Sequence, residues 1–173
     1  MNEVLKAISE RRSIRSYKPE IPSEDLIDQV IKAGLEAASG RNMQGAKIVA
    51  ITNKEIRDKL SRANAEVMGA SSDPFYGAPA VLVVLADKSV RTSVYDASLV
   101  AGNIMLAAHV LGLGCCWIHR AKEVFMTEEW SGYLKFLGLE GEYEGVANMI
   151  LGYPDGEFPA PKARLDGRVI KVK

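Results

Sequence analysis

One stretch limits the possible folds of this chain more than any other. From Ser93 to Leu111 the sequence reads SVYDASLVAGNIMLAAHVL, a helical run that is apolar nearly all the way round. An amphipathic surface helix keeps a polar stripe for solvent. This one has none, so it must be buried by its own domain, by a second subunit, or by both. Asp96, Asn103 and His109 interrupt the apolar run and no aromatic belts flank it, which favours a buried helix of a soluble protein over a membrane span.

The chain around it is long enough to build such a core. Its 173 residues, 47% of them hydrophobic, fit one domain covering 1–173. The 22 basic residues balance the 22 acidic ones, and this evenness excludes a field that would draw the molecule to nucleic acid or to an anionic membrane. Any anion site must be local. The two cysteines, Cys115 and Cys116, are too few for a disulfide framework, and the N-terminus has neither an apolar h-region nor a cleavage site, so a cytoplasmic protein is expected.

Periodicity and capping residues place the elements. An amphipathic helix ends near Arg12, and Pro19 and Pro22 force an extended crossing. Ser23 caps a second helix that should stop around Ser39–Gly40, AKIVAIT (46–52) reads as a strand, and Asn53 caps a charged helix to about Met68. AVLVVLA (80–86) is apolar on both faces and predicts a central strand covered above and below. After the apolar helix come a short strand, CCWI, a helix capped by Thr127, and a last strand, GVANMILGY. In the proline-rich tail only RVIKV alternates, and it could add an edge strand to a neighbour. Helices and strands alternate unevenly, which predicts an α+β layer arrangement.

Three segments carry possible chemistry. ISERRSIRSY concentrates Arg11, Arg12 and Arg15. If the first helix continued, Arg11 and Arg15 would share a face with Ser13 nearby, a set that suits a phosphate monoester. AASGRNMQG crowds Ser39, Asn42 and Gln44 around two glycines, where backbone can approach a planar polar ligand. In PKAR, Lys162 and Arg164 point to one side if extended. Taken singly, each segment has a plainer reading: a solvated arginine cluster, a capped helix end, a charge pair. No metal is expected, because adjacent strand residues such as Cys115 and Cys116 face opposite ways. GLGCCW lacks the third glycine of a dinucleotide fingerprint and precedes a strand, so no dedicated dinucleotide-binding domain is expected.

In order and spacing, these segments resemble the nitroreductase family of flavin enzymes over almost the whole chain. The resemblance rests on R-R-S-x-R, S-x-x-N-x-Q, Tyr95-Asp96-Ala97 opening a helix that closes on Gly-Leu-Gly, the C-W-I strand, Gly152-Tyr153-Pro154 and a terminal K-x-R. It implies a nitroreductase-like fold, with a mostly antiparallel sheet flanked by helices, in a homodimer whose C-terminal extension reaches the partner. It also implies FMN at each of two interface sites. Arg11, Arg12, Ser13 and Arg15 would meet the flavin, with Arg15 stabilising its reduced form. Lys162 and Arg164 would close on the phosphate, Ser39 and Asn42 would come from the other subunit, and Gln44 would also bind the cofactor. The stretch Trp117 to Arg120, including Ile118 and His119, would lie along the ring, chiefly through its backbone.

The activity implied is electron transfer from NAD(P)H to a small organic acceptor, a nitroaromatic or quinone, by a ping-pong cycle. The alternatives are FMN storage or sensing, reductive dehalogenation, or fragmentation of the flavin. The chain departs from the family pattern at Ala38, where proline is common, and at Gly45-Ala46, where Pro-Trp is common.

Overall fold

The computed structural model describes residues 2–173, so Met1 lies outside the account that follows. Four helices start where a side chain can accept a free backbone N–H of the first turn. Asn2 caps α1 (Glu3–Glu10) at Val4 N, Ser23 caps α2 (Glu24–Leu35) at Leu26 N, and Asn53 caps α3 (Lys54–Met68) at Ile56 N. Then come α4 (Ser93–Val110), a short α5 (Ala121–Phe125), and α6 (Glu128–Phe136), which Thr127 caps at Trp130 N. The strands are β1 (Ala46–Ile51), β2 (Ala80–Asp87), β3 (Gly114–Ile118) and β4 (Tyr143–Gly152).

The strands form one sheet in the order β1-β2-β4-β3, antiparallel at every pairing. A bulge between Val84 and Leu85 shifts the β2–β4 register. From Ala80 to Ala86 every β2 side chain is buried, because both faces of the sheet are covered. Ala80, Leu82 and Val84 pack in a core with Val30 of α2 and Ile104 of α4. Val81, Val83 and Leu85 face the opposite core with Leu60 of α3, Val124 of α5 and Trp130 of α6. α2 and α4 approach so closely that a Cβ on Gly34 would come within 2.8 Å of Ile104.

Two expectations need correction, and two further segments add detail. α1 ends at Glu10: Arg11 has ψ 134 and the backbone beyond it is extended, so the arginines do not share a helical face. α2 stops at Leu35, because the N–H groups that follow close a turn on Lys32 and Gly34 carbonyls. α5 was not foreseen; it is five residues long with no side-chain cap. The RVIKV segment forms no strand within its own chain. Among the described residues no helix is long and apolar enough to cross a membrane.

Candidate functional site

The extended segment after α1 becomes a partial fifth strand. Ser13 bridges Cys115 in parallel, with Ile14 N–H donating to Cys115 O at 3.2 Å. Farther along, Lys18 N–H donates to Tyr153 O at 2.9 Å. Two glycines in the sheet make room. A Cβ on Gly114 would lie 2.9 Å from Ile14 and 3.1 Å from Tyr17, and one on Gly152 would lie 3.1 Å from Tyr17. The Tyr17 hydroxyl donates to Ile14 O at 2.7 Å and ties the segment into a compact corner. Local propensity cannot account for this path, since its contacts with Cys115, Tyr153, Gly114 and Gly152 join residues far apart in sequence.

Arg11, Arg12, Ser13 and Arg15 are thereby strung along the outer edge of β3. Arg12 turns back, and its Nη1 donates at 2.7 Å to the carbonyls of Ser9 and Arg11 at the end of α1. Its Nε is buried with no partner, and so is Nη1 of Arg11. A buried donor left unpaired costs about 1–3 kcal/mol, so an acceptor placed at this edge would stabilise it. Arg15 is exposed and lies 5.9 Å from the centre of the Tyr76 ring. Trp117 is half-buried, Ile118 is buried, and His119 is exposed at the end of β3. At about 3.3 Å per residue they begin within two residues of the Ser13 bridge. Cys115 and Cys116 enter opposite cores, and burial pushes the Cys115 thiol up.

Ser39, Asn42 and Gln44 lie elsewhere. Their loop turns through left-handed backbone at Arg41, Asn42 and Gln44, with φ between 50 and 55. Few non-glycine residues adopt this conformation unless their surroundings hold it. Asp96, in the first turn of α4, accepts from Gly40 N–H at 3.1 Å and from the Thr92 hydroxyl at 2.9 Å. Ser39 Oγ accepts from Gln44 N–H, and Asn42 Oδ1 from the Gln44 side chain. Asp96 was visible in sequence only as part of a motif, and nothing local signalled its clamping role. Beside the loop lies a cleft of about 370 Å³ between α2, β1 and α4, reached by Ser39, Gln44 and Asp96.

The two groups sit at opposite ends of α4. Asp96 holds the polar loop at one end, and the arginines lie within electrostatic reach of His109 at the other. At about 1.5 Å per residue those ends are roughly 20 Å apart. Within a single chain they cannot grip the same small ligand. Lys162 and Arg164 project from an exposed tail that meets the body where Phe158 packs edge-on against His109, ring centres 5.8 Å apart.

The model of the nitroreductase family matches this chain over residues 8–74 and 66–153. The chain belongs to the nitroreductase family. It is 32% identical, over 91% of its own length and 88% of the relative's, to an Archaeoglobus fulgidus protein whose name pairs NADH dehydrogenase with NAD(P)H nitroreductase. The NADPH-flavin oxidoreductase of Vibrio harveyi is 29% identical over 98% of this chain and 73% of its own. Among solved structures, a nitroreductase with bound FMN from Bacteroides fragilis superposes over 100% of both chains at a TM-score of 0.88 and 26% identity. This nitroreductase-family chain has the α+β architecture expected from its sequence, with an antiparallel sheet flanked by helices.

Proposed function

We propose that this protein is an FMN-dependent oxidoreductase that passes electrons from NAD(P)H to a small organic acceptor such as a nitroaromatic or a quinone. The observation that carries this reading is the pair of buried guanidinium nitrogens, Arg11 Nη1 and Arg12 Nε, without an acceptor at the edge of β3. They fit a phosphate monoester. The names of the relatives, with flavin, NADPH and NAD(P)H in them, point the same way.

FMN, when bound, supplies the capacity to accept hydride and pass electrons on. The chain's own residues bind and orient it. Arg11 and Arg12 would hold the phosphate, Ser13 would offer a hydroxyl to the chain beyond it, and Lys162 and Arg164 would close over the phosphate from the tail. Arg15 would place a fixed positive charge where reduction leaves a negative one, as an oxyanion site does. Trp117, Ile118 and His119 would present strand backbone to the ring. With no dedicated dinucleotide fingerprint, nicotinamide and acceptor would use one exposed face in turn, which is a ping-pong cycle.

A homodimer completes the site. Tyr95, Leu99, Leu106 and Val110 recur at helical spacing along α4, and Tyr95, Leu99 and Val110 are 75%, 53% and 70% exposed. The midpoint between Asp96 and His109 falls at Gly102–Asn103, and open space lies above Gly102. A two-fold axis there would lay α4 antiparallel to its copy, bringing the loop with Ser39, Asn42 and Gln44 against the partner's arginine edge. β1 leaves one edge unpaired, and Val169, Ile170 and Val172 of RVIKV stand exposed, so each tail could pair with the other subunit's sheet. Two buried, free cysteines suit the reducing cytoplasm.

Anaerobic addition of NADH or NADPH to the flavin-loaded protein should bleach its visible absorbance, and a quinone or nitroaromatic should restore it. A flavin that stays oxidised with both nicotinamides would overturn the NAD(P)H reading and favour storage, sensing or another donor.

A further inference from the structure

The last turn of α4 carries a histidine for which the flavin reading has so far no use. His109 is half-buried, and its Nδ1 is out of solvent with no hydrogen-bond partner. Its ring packs edge-on against Phe158, four residues before Lys162 and six before Arg164. Glu10 of α1 and Arg11 and Arg12 of the segment after it are the charged groups that act on it, and α1 packs directly against α4. Three buried nitrogens without partners thus belong to side chains within electrostatic reach of one another, where α1 and the segment after it meet the end of α4: Arg11 Nη1, Arg12 Nε and His109 Nδ1.

One such nitrogen would be an ordinary imperfection of packing. Three in one neighbourhood, on side chains that are or can become cationic, share a single remedy. An anion with several oxygens would satisfy all of them, whereas a carbonyl or a water would satisfy one or two.

We propose that His109 is a third ligand of the anion site, donating Nδ1–H to the phosphate of the bound cofactor and taking up a proton as that phosphate arrives. This rests on the FMN reading and extends it to regulation by pH. Burial holds the free imidazole below its ordinary pKa; Glu10 pulls it back up, and Arg11 and Arg12 push it further down. Near neutral pH the ring is therefore mostly uncharged before the cofactor enters. A dianion beside it reverses that balance, and the negative end of α4 favours the imidazolium as well. The histidine's contribution to binding is thus fully present below the free-state pKa and is lost as pH rises through the raised, bound-state pKa. The phosphate's own second ionisation, at about 6, runs in the opposite direction, so the histidine is isolated by difference.

The test is calorimetry on the full-length apoprotein near pH 7.2, in two buffers of different ionisation enthalpy, with FMN and with riboflavin, which lacks the phosphate. Wild type should take up a measurable fraction of a proton with FMN and none with riboflavin. In His109→Gln the uptake with FMN should vanish and the affinity should fall about tenfold, the size of one charge-assisted hydrogen bond. Equal uptake in wild type and variant, or equal uptake with FMN and riboflavin, would overturn the proposal while leaving FMN binding intact. Failure of FMN to bind would overturn the flavin reading itself, and this proposal with it. Should His109→Gln not fold, the comparison of FMN with riboflavin in the unmutated protein still decides.

Discussion

Leu99 sits within the exposed α4 stripe, one turn from the Gly102–Asn103 midpoint, and replacing it with glutamate separates a site built by one chain from a site built by two. The side chain is 53% exposed, so within the chain the change disturbs little. Across a two-fold seam it counts twice. Burying the exposed half of a leucine contributes about 1 kcal/mol, hence about 2 kcal/mol for the pair. Placing two glutamates in the same dry seam adds an effective penalty of several kcal/mol each. The sum exceeds about 5 kcal/mol, a loss of more than about a thousandfold in dimer affinity. Sedimentation velocity at micromolar concentration should find Leu99→Glu monomeric, far-ultraviolet circular dichroism should find it folded, and flavin titration should find FMN binding severely weakened. A folded monomer that binds FMN as tightly as wild type would refute the roughly 20 Å argument, because one chain would then suffice. A variant that stays dimeric would refute the α4 seam.

Two further tests probe the supports of the site. In Gly114→Ala the new methyl group meets Ile14 at 2.9 Å and must displace the arginine-bearing segment. Such overpacking costs about 1–3 kcal/mol, which at about 2–4 °C per kcal/mol lowers the melting temperature by roughly 2–12 °C. FMN affinity should fall with it, and an unchanged melt would show that the segment does not rest there. Asp73 anchors the loop that carries Tyr76. Burial tends to raise its carboxyl pKa, but bonds from Ser61, Arg57 and the Gly77 and Phe75 N–H groups outweigh this and hold it below the usual carboxylate range. A depressed folded pKa gives stability above the unfolded value, near 3.9, that is lost as pH falls through the folded one. Wild type should therefore lose more melting temperature than Asp73→Asn below about pH 4, and parallel acid limbs would contradict the sign.

Much of the frame was legible because it depends on neighbours in sequence. Ser23, Asn53 and Thr127 each accept a backbone bond three residues ahead, a relation that a linear reading captures. The unbroken apolar run of β2 signalled a strand covered on both faces, since no other environment would bury Ala80 to Ala86 together. The family's arginines and polar loop could likewise be named from order and spacing.

Their placement could not. The segment from Arg11 to Tyr17 is extended because two distant glycines in β3 and β4 leave room for Ile14 and Tyr17, and a helical pattern of arginines carries no trace of that. The polar loop takes its left-handed turns because Asp96, 56 residues beyond Gly40, accepts its backbone N–H. The separation of the two half-sites along α4 emerged from the same long-range packing. Caps and apolar periods act over a few residues and are written in the chain itself. The gap between the half-sites is a distance in space, and it exists only once the sheet and its helices have been assembled.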